Sequence, residues 1–263
     1  RWDAIDRLWL DDPENVDPRD RTELFPVLKD ADADRQIWDR RRRKARERRA
    51  LFHSRLMPHA ALLTALPLRK NMVAFGSLED LESFFMQFKG TIARARSTPV
   101  GRPIQAKMFK DSNALWVLQH GLKRSGKSMP SWVQPCFQGL WMGDQAAPDL
   151  AQESHESVLR FGGCLKQLET LSSKAVFPVA TANYVEGVVI DDRLGIQWVP
   201  RECIADMKSG APARDQQAFS GSAGAYVKAN LSVNARKSCY RRLVFDAWGA
   251  TVEGDMGIVG VPR

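Results

Sequence analysis

No stretch of the 263-residue chain approaches the roughly 20 consecutive apolar residues that span a bilayer, and no signal-peptide pattern opens it. A membrane partner is therefore not expected. The four cysteines (Cys136, Cys164, Cys203 and Cys239) lie far apart and form no CxxC pair. They read as buried thiols of a reducing, intracellular compartment, nucleus or cytoplasm, rather than as a disulfide framework. The four histidines make no HExxH, which argues against a hydrolytic or structural zinc site, and a GxSxG nucleophile elbow is missing too. The first residue is Arg1 rather than methionine, so the chain reads as an excerpt of a longer product.

What is present is charge of one sign. Net charge is +8 and the pI is near 9.5, which favours a polyanionic partner. The excess is concentrated: Arg35 to Arg49 holds nine Arg or Lys against Asp39 and Glu47. A solvated helix face explains such a run equally well. With 44% apolar residues, the chain can build a core for one large or two small domains without a disulfide or metal staple.

Local patterns predict mixed elements. Residues 1–24, with DDPENVDPRD, read as a short helix followed by a loop or tail. Phe25–Leu28 and RQIW flank an acidic turn and predict a hairpin. The basic segment 40–52 is expected to continue as a helix. Ser77 followed by Asp80 resembles a capping box, with Leu81, Phe84, Phe85 and Phe88 at helical spacing behind it. Ala114–Leu118 reads as a strand, and Pro148–Arg160 as a helix stopped by Gly162-Gly163. Tyr184–Ile190 and Leu194–Val199 predict a hairpin with Asp191-Asp192 at its tip. Residues 205–220 read as a polar loop, 221–231 as a helix, and WGATVEGDMGIVGV as a second hairpin turning at Glu253-Gly254-Asp255. His155 is expected on a solvated helix face, Ser222 in a turn or cap, and Trp132 and Trp141 in packing. Helices and hairpins together argue an α+β architecture.

Two segments carry chemistry. In VVIDD, ionised carboxylates adjoin a hydrophobic strand and call for compensation, which a divalent cation supplies; an ordinary acidic turn is the bland alternative. GSLEDLESFF offers a second acid, Asp80, ahead of aromatics. A rival signal is Gly121-Leu-Lys-Arg-Ser-Gly126-Lys127-Ser128, which fits the phosphate-loop pattern, with Asp191 as the strand-end acid for Mg²⁺. Such a loop must feed directly into a helix, and Pro130 and Pro135 follow too closely for that.

In order, spacing and residue type the chain resembles the reverse transcriptase family over roughly residues 25–262. RQIWDRRRRKARE resembles the fingers signature, DLESFF the first palm motif, LWMGDQAAPDLAQ the second, VVIDDRLG the palm hairpin, SVNARKS the following loop, and AWGATVEG the primer-grip hairpin. Lys44 stands where the family usually has Asn, and Val189 and Ile190 replace the usual residues before the Asp pair. The long interval from Asp80 to Asp191 implies an insertion within 91–135.

The resemblance implies a right-hand polymerase fingers and palm, with an antiparallel palm sheet flanked by helices and the thumb missing, as are RNase H and integrase. It divides the chain into a tail (1–24), a basic fingers-like segment (25–76) and a palm-like domain (77–263). It implies a retroelement RNA-directed DNA polymerase in which Asp80, Asp191 and Asp192 hold two Mg²⁺, or Mn²⁺ in their place, for phosphoryl transfer. On that match Lys29, Arg35 and Lys237 meet the triphosphate, and Asp39 and Arg41 hold the fingers strand. Phe85 blocks a ribose 2′-OH, Gly143 and Gln145 lie at the nucleotide, and Trp248 and Gly249 form the primer grip. The implied partners are an RNA or DNA template-primer and dNTP; oligomeric state is not implied. Two other function classes stay open: a phosphate-loop NTPase using 121–128 with Asp191, and a non-catalytic RNA-binding scaffold on a decayed polymerase fold.

Overall fold

The computed structural model describes every residue except 1, 31, 32, 48–52, 176, 179–182 and 263, and leaves the side chains of 29, 30 and 33–35 undescribed. The chain divides into two compact units that interleave in sequence, 1–50 with 85–147 and 51–84 with 148–263.

The first unit contains β1 (Leu8–Asp11), β2 (Glu23–Asp30), β3 (Ala33–Asp39), β5 (Ile104–Gln105) and β6 (Trp132–Phe137). Strands β1, β6 and β5 form one antiparallel sheet, and β2 and β3 the expected hairpin. Residues 2–24 thus open with a strand, because Leu10 buries its side chain against Leu115, Leu118 and Val133, and their helical content is limited to the short 3₁₀ turns Pro13–Asn15 and Pro18–Asp20. Ala114–Leu118, read as a strand, lies inside the helix Asn113–Arg124. The Ser112 side chain caps that helix by accepting the Leu115 N–H, and Ala114, Leu115 and Leu118 recur at helical spacing on its buried side. GLKRSGKS therefore sits at the end of a helix: Gly126 takes a left-handed φ as the chain leaves it, and strand β6 follows. That order is the reverse of a phosphate loop, whose N–H groups open a helix. Of the basic segment, only Arg41–Lys44 is helical among the described residues. The unit's aromatic centre is Trp38, Phe137 and Trp141, with Trp2 stacked on Trp38; Trp132 instead lies half-exposed.

The second unit contains β4 (Met72–Asp80), β7 (Tyr184–Val189), β8 (Asp192–Pro200), β9 (Cys239–Arg242), β10 (Val244–Ala247), β11 (Ala250–Glu253) and β12 (Ile258–Gly260). Its main sheet has the order β7-β8-β4-β9, with antiparallel neighbours throughout, and β10-β11-β12 form a meander. Ser77–Asp80, read as a helix start, is the end of β4. Only Phe84–Gln87 turns helical beyond it, since pairing with β8 and β9 satisfies the backbone first.

Alternation splits the sheet into two faces. On one, Ala74, Leu194, Ile196 and Trp198 meet Phe245, Ala247, Ala250 and Val252 of the meander. A Cβ on Gly76 would lie 2.4 Å from the Phe245 ring, so glycine is what lets the ring lie flat on β4. The other face carries Glu79, Glu186 and Arg193. Arg193 is wholly buried, donates to Glu186 Oε2 at 2.5 Å and Glu79 Oε2 at 3.0 Å, and stacks on Phe219. One helix supplies further contacts to these acids, and a second bonds the end of β7 through Gln152. Arg214–Lys228, which begins within the segment read as a loop, brings Ser222 and Tyr226 to Glu79. Ala147–Phe161 matches the expected helix and ends at Gly162-Gly163 as foreseen. No helix among the described residues is long and apolar enough to cross a membrane.

Removing one member of a buried ion pair strands the other charge, at a cost of about 3–5 kcal/mol. Arg193→Leu, which leaves Glu79 and Glu186 under the sheet, should lower unfolding stability by that order. Urea denaturation of the two proteins side by side measures it.

Candidate active site

The β4–β8 register runs without a break from Met72↔Pro200 to Asp80↔Asp192. Two acids from distant parts of the chain therefore face each other at the strand ends, on the same side of the sheet as Leu78 and Leu194. Asp191 occupies the tip of the β7–β8 turn, and its carbonyl accepts the Leu81 N–H at 3.0 Å. The Asn234 N–H donates to the Asp80 carbonyl at 2.7 Å, bringing in the loop that carries Lys237. Lys237 Nζ then donates to Asp80 Oδ2 at 3.1 Å.

Leu78, Asp80, Asp192, Lys237, Asp246 and Trp248 line a cavity of about 270 Å³. Trp248 and Gly249 form the two-residue turn between β10 and β11, both with left-handed φ (51° and 83°). The sequence pattern foresaw the later turn, between β11 and β12, but not this one.

The carboxylates are crowded. Burial, reinforced by the charges of Asp191 and Asp80 and by a hydrogen bond to Asp80, pushes the Asp192 pKa up to about 7. Asp80 in turn holds the Lys237 ammonium above its usual range. Among the described residues no three His, Cys, Asp or Glu side chains are gathered as a metal cage. What the site offers a cation is the oxygens of Asp80 and Asp192, crowded enough to raise the Asp192 pKa, beside a third acid and one lysine. That donor set fits Mg²⁺ or Mn²⁺ better than a soft metal.

The remaining site residues foreseen in the sequence lie in the first unit. Lys29 and Arg35 are on β2 and β3, with side chains outside the described residues. Asp39 and Arg41 pair at 2.6 Å on the hairpin's exposed side, and the Arg41 guanidinium holds the Asp39 carboxyl down at about 2. Phe85 is half-buried while Phe84 goes to the core. Gly143 has φ 106°, and a Cβ there would come within 2.8 Å of the Trp38 carbonyl, which accounts for the glycine without a ligand. Gln145 is half-buried. This unit also holds a larger cavity, of about 650 Å³, lined mainly by apolar groups such as Trp2, Leu24, Ile104 and Phe109. None of the foreseen site residues whose side chains are described lines it.

Sequence reasoning missed the support behind the acids. His155, expected in solvent, is fully buried and lies between the Ile190 carbonyl and the Tyr226 hydroxyl. Ser222, expected in a turn or helix cap, is buried in mid-helix against Glu79. The spacing of Ala151, Gln152, His155 and Leu159 was the available signal, since it places two polar residues on the helix's apolar stripe.

A carboxyl whose pKa is raised on folding contributes stability below its unfolded value, and that contribution is lost as pH rises through the folded value. For Asp192 the window is from about 4 to about 7. Without divalent cations, Asp192→Asn should gain on the parent over that window. After discounting for solvent screening the gain is on the order of 2 kcal/mol at pH 8. Thermal melts of both proteins from pH 4 to 8 in EDTA give the difference.

No protein-family model matches the chain, and neither does any curated protein. Solved structures do. The chain is similar to the foamy viral protease-reverse transcriptase in complex with dsDNA, with TM-score 0.54 and 14% identity over 92% of this chain and 37% of that one. A second dsDNA complex of that protein, labelled dRH, gives 0.53 and 14% over 89% and 30%. Native protease-reverse transcriptase of prototype foamy virus gives 0.50 and 15% over 92% and 23%. The chain thus spans well under half the length of each of these proteins. At such identities the likeness speaks to fold, and the fold is α+β and reverse-transcriptase-like.

Proposed function

We propose that the chain is the nucleotidyl-transfer part of an RNA-directed DNA polymerase of retroelement type, extending a primer on a template with dNTP. The observation that carries this reading is the cross-strand meeting of Asp80 and Asp192 in one cleft with Lys237 and Trp248. Distant acids facing each other at high cost argue for a ligand that repays it, and perturbed carboxyls in a cleft are the usual mark of a functional site.

Asp80, Asp191 and Asp192 would hold the divalent cations, Mg²⁺ or Mn²⁺, which when bound neutralise triphosphate charge and acidify a 3′-hydroxyl. The protein's own share is positioning. Lys237 places a cation beside Asp80, where it can offset phosphate charge as the carboxylate turns to a metal. Trp248 and Gly249, at the tip of the β10–β11 turn beside the acids, would carry the primer end. Lys29, Arg35, Phe85, Gly143 and Gln145 are assigned to the nucleotide on the sequence resemblance alone. The net charge of +8 suits a template-primer backbone and makes binding salt-dependent. A non-catalytic RNA-binding scaffold is the second reading, favoured by the lack of a three-ligand cage among the described residues.

Primer extension on an RNA template with dNTP and Mg²⁺ decides between them. Asp80→Asn and Asp192→Asn should each reduce extension on the order of 100-fold or more while leaving template-primer affinity nearly intact. RNA binding with no extension by the parent protein would favour the scaffold.

A further inference from the structure

Ile190, the residue before the Asp pair, is the first of the two loop residues between β7 and β8, and its φ is +57°. That position in a hairpin turn ordinarily selects glycine, and a β-branched side chain is strained there. Something has to hold it. Gln152, buried on the Ala147–Phe161 helix, accepts the Ile190 N–H with Oε1 at 2.7 Å and donates from Nε2 to the Val188 carbonyl at 2.8 Å. Strand β7 lies at the sheet's edge, so one side-chain amide supplies both halves of the pairing that a further strand would have given these groups.

His155, three residues on and so on the same helix face, completes the grip. Its Nδ1 donates to the Ile190 carbonyl at 2.7 Å. A carbonyl only accepts, so the proton is on Nδ1, and burial keeps the ring neutral by driving its pKa down to about 4. Nε2 lies 2.8 Å from the Tyr226 hydroxyl, which is itself 3.2 Å from Glu79 Oε2. Both main-chain polar groups of Ile190 are thus bound to one helix face.

We propose that Gln152 and His155 are positioning residues: they clamp Ile190 in its left-handed conformation and so fix where the turn presents Asp191 and Asp192. The catalytic half of this inference rests on the polymerase reading of those acids; the clamp itself does not. Without the amide, Ile190 would relax toward extended backbone and the following carboxylates would turn with it.

The test is a double-mutant cycle of Gln152→Met, which keeps volume but removes both bonds to the turn and a third to Glu156 Oε1, against Ile190→Gly, which removes the strain; the Glu156 bond does not involve Ile190 and cancels in the coupling. Two readouts are taken, the urea midpoint and steady-state primer extension. Gln152→Met alone should lower the midpoint and reduce kcat by about 10- to 100-fold, with KM for dNTP changed less than about twofold. Combined with Ile190→Gly, both losses should shrink severalfold. Equal midpoint losses with and without Ile190→Gly overturn the clamp, whatever the activity. A coupled midpoint with kcat unchanged overturns the positioning role. If the parent extends no primer, the polymerase reading fails with its positioning role, while the midpoint cycle still decides the clamp. Should Gln152→Met fail to fold, His155→Asn, which keeps a donor near Nδ1, should retain kcat and midpoint where His155→Leu loses both; equal behaviour of the two overturns the proposal.

Discussion

The structure of the second unit turns on a repulsion. Antiparallel pairing of β4 with β8 places Asp80 directly across from Asp192, and like charges in that relation are destabilising. The pairing survives because it is long, satisfies the backbone from Met72 to Asp80, and buries Ala74, Leu194, Ile196 and Trp198 along one face. Residual charge is handled locally: Asp192 retains a proton toward neutrality and Lys237 leans on Asp80. A cleft built this way keeps its acids crowded while the strands around them stay paired.

The reverse of the same strands handles charge differently. Glu79 and Arg193 are the neighbours of Asp80 and Asp192 in sequence, yet alternation sends them to the opposite face, where Glu186 completes a closed ion group. Front and back are linked at Tyr226 and His155, so the helices under the sheet bear on the turn at its rim.

Much of this was legible in the chain. The alternation of YVEGVV and LGIQWV, with polar residues between, gave the hairpin and its acidic tip, and the Pro-started, Gly-stopped pattern gave the helix beneath it. The errors share one cause, local signals overridden by partners far away in sequence. Ser77 and Asp80 mimic a helix cap but are claimed by β8 and β9; Ala114–Leu118 has a strand's composition but is rolled up by the Ser112 cap and by Leu10 and Val133. His155 looked solvated because its partners, Ile190 and Tyr226, are separated from it by 35 and 71 residues. That Asp80 should approach the Asp191-Asp192 pair was expected only from resemblance to a family, centred on Asp191; the strand pairing that sets Asp192 opposite Asp80 is not specified by spacing alone.

Gly187 on β7 lacks a side chain where the indole of Trp248 comes to rest; an added Cβ would lie 2.6 Å from the ring, with Pro58 on hand at 3.1 Å. The aromatic ring therefore works as a spacer, and its thickness sets the height of the β10–β11 turn above the strand that leads into the acids. Any bulk at 187 would lift that turn, altering the clearance over the carboxylates without touching one of them.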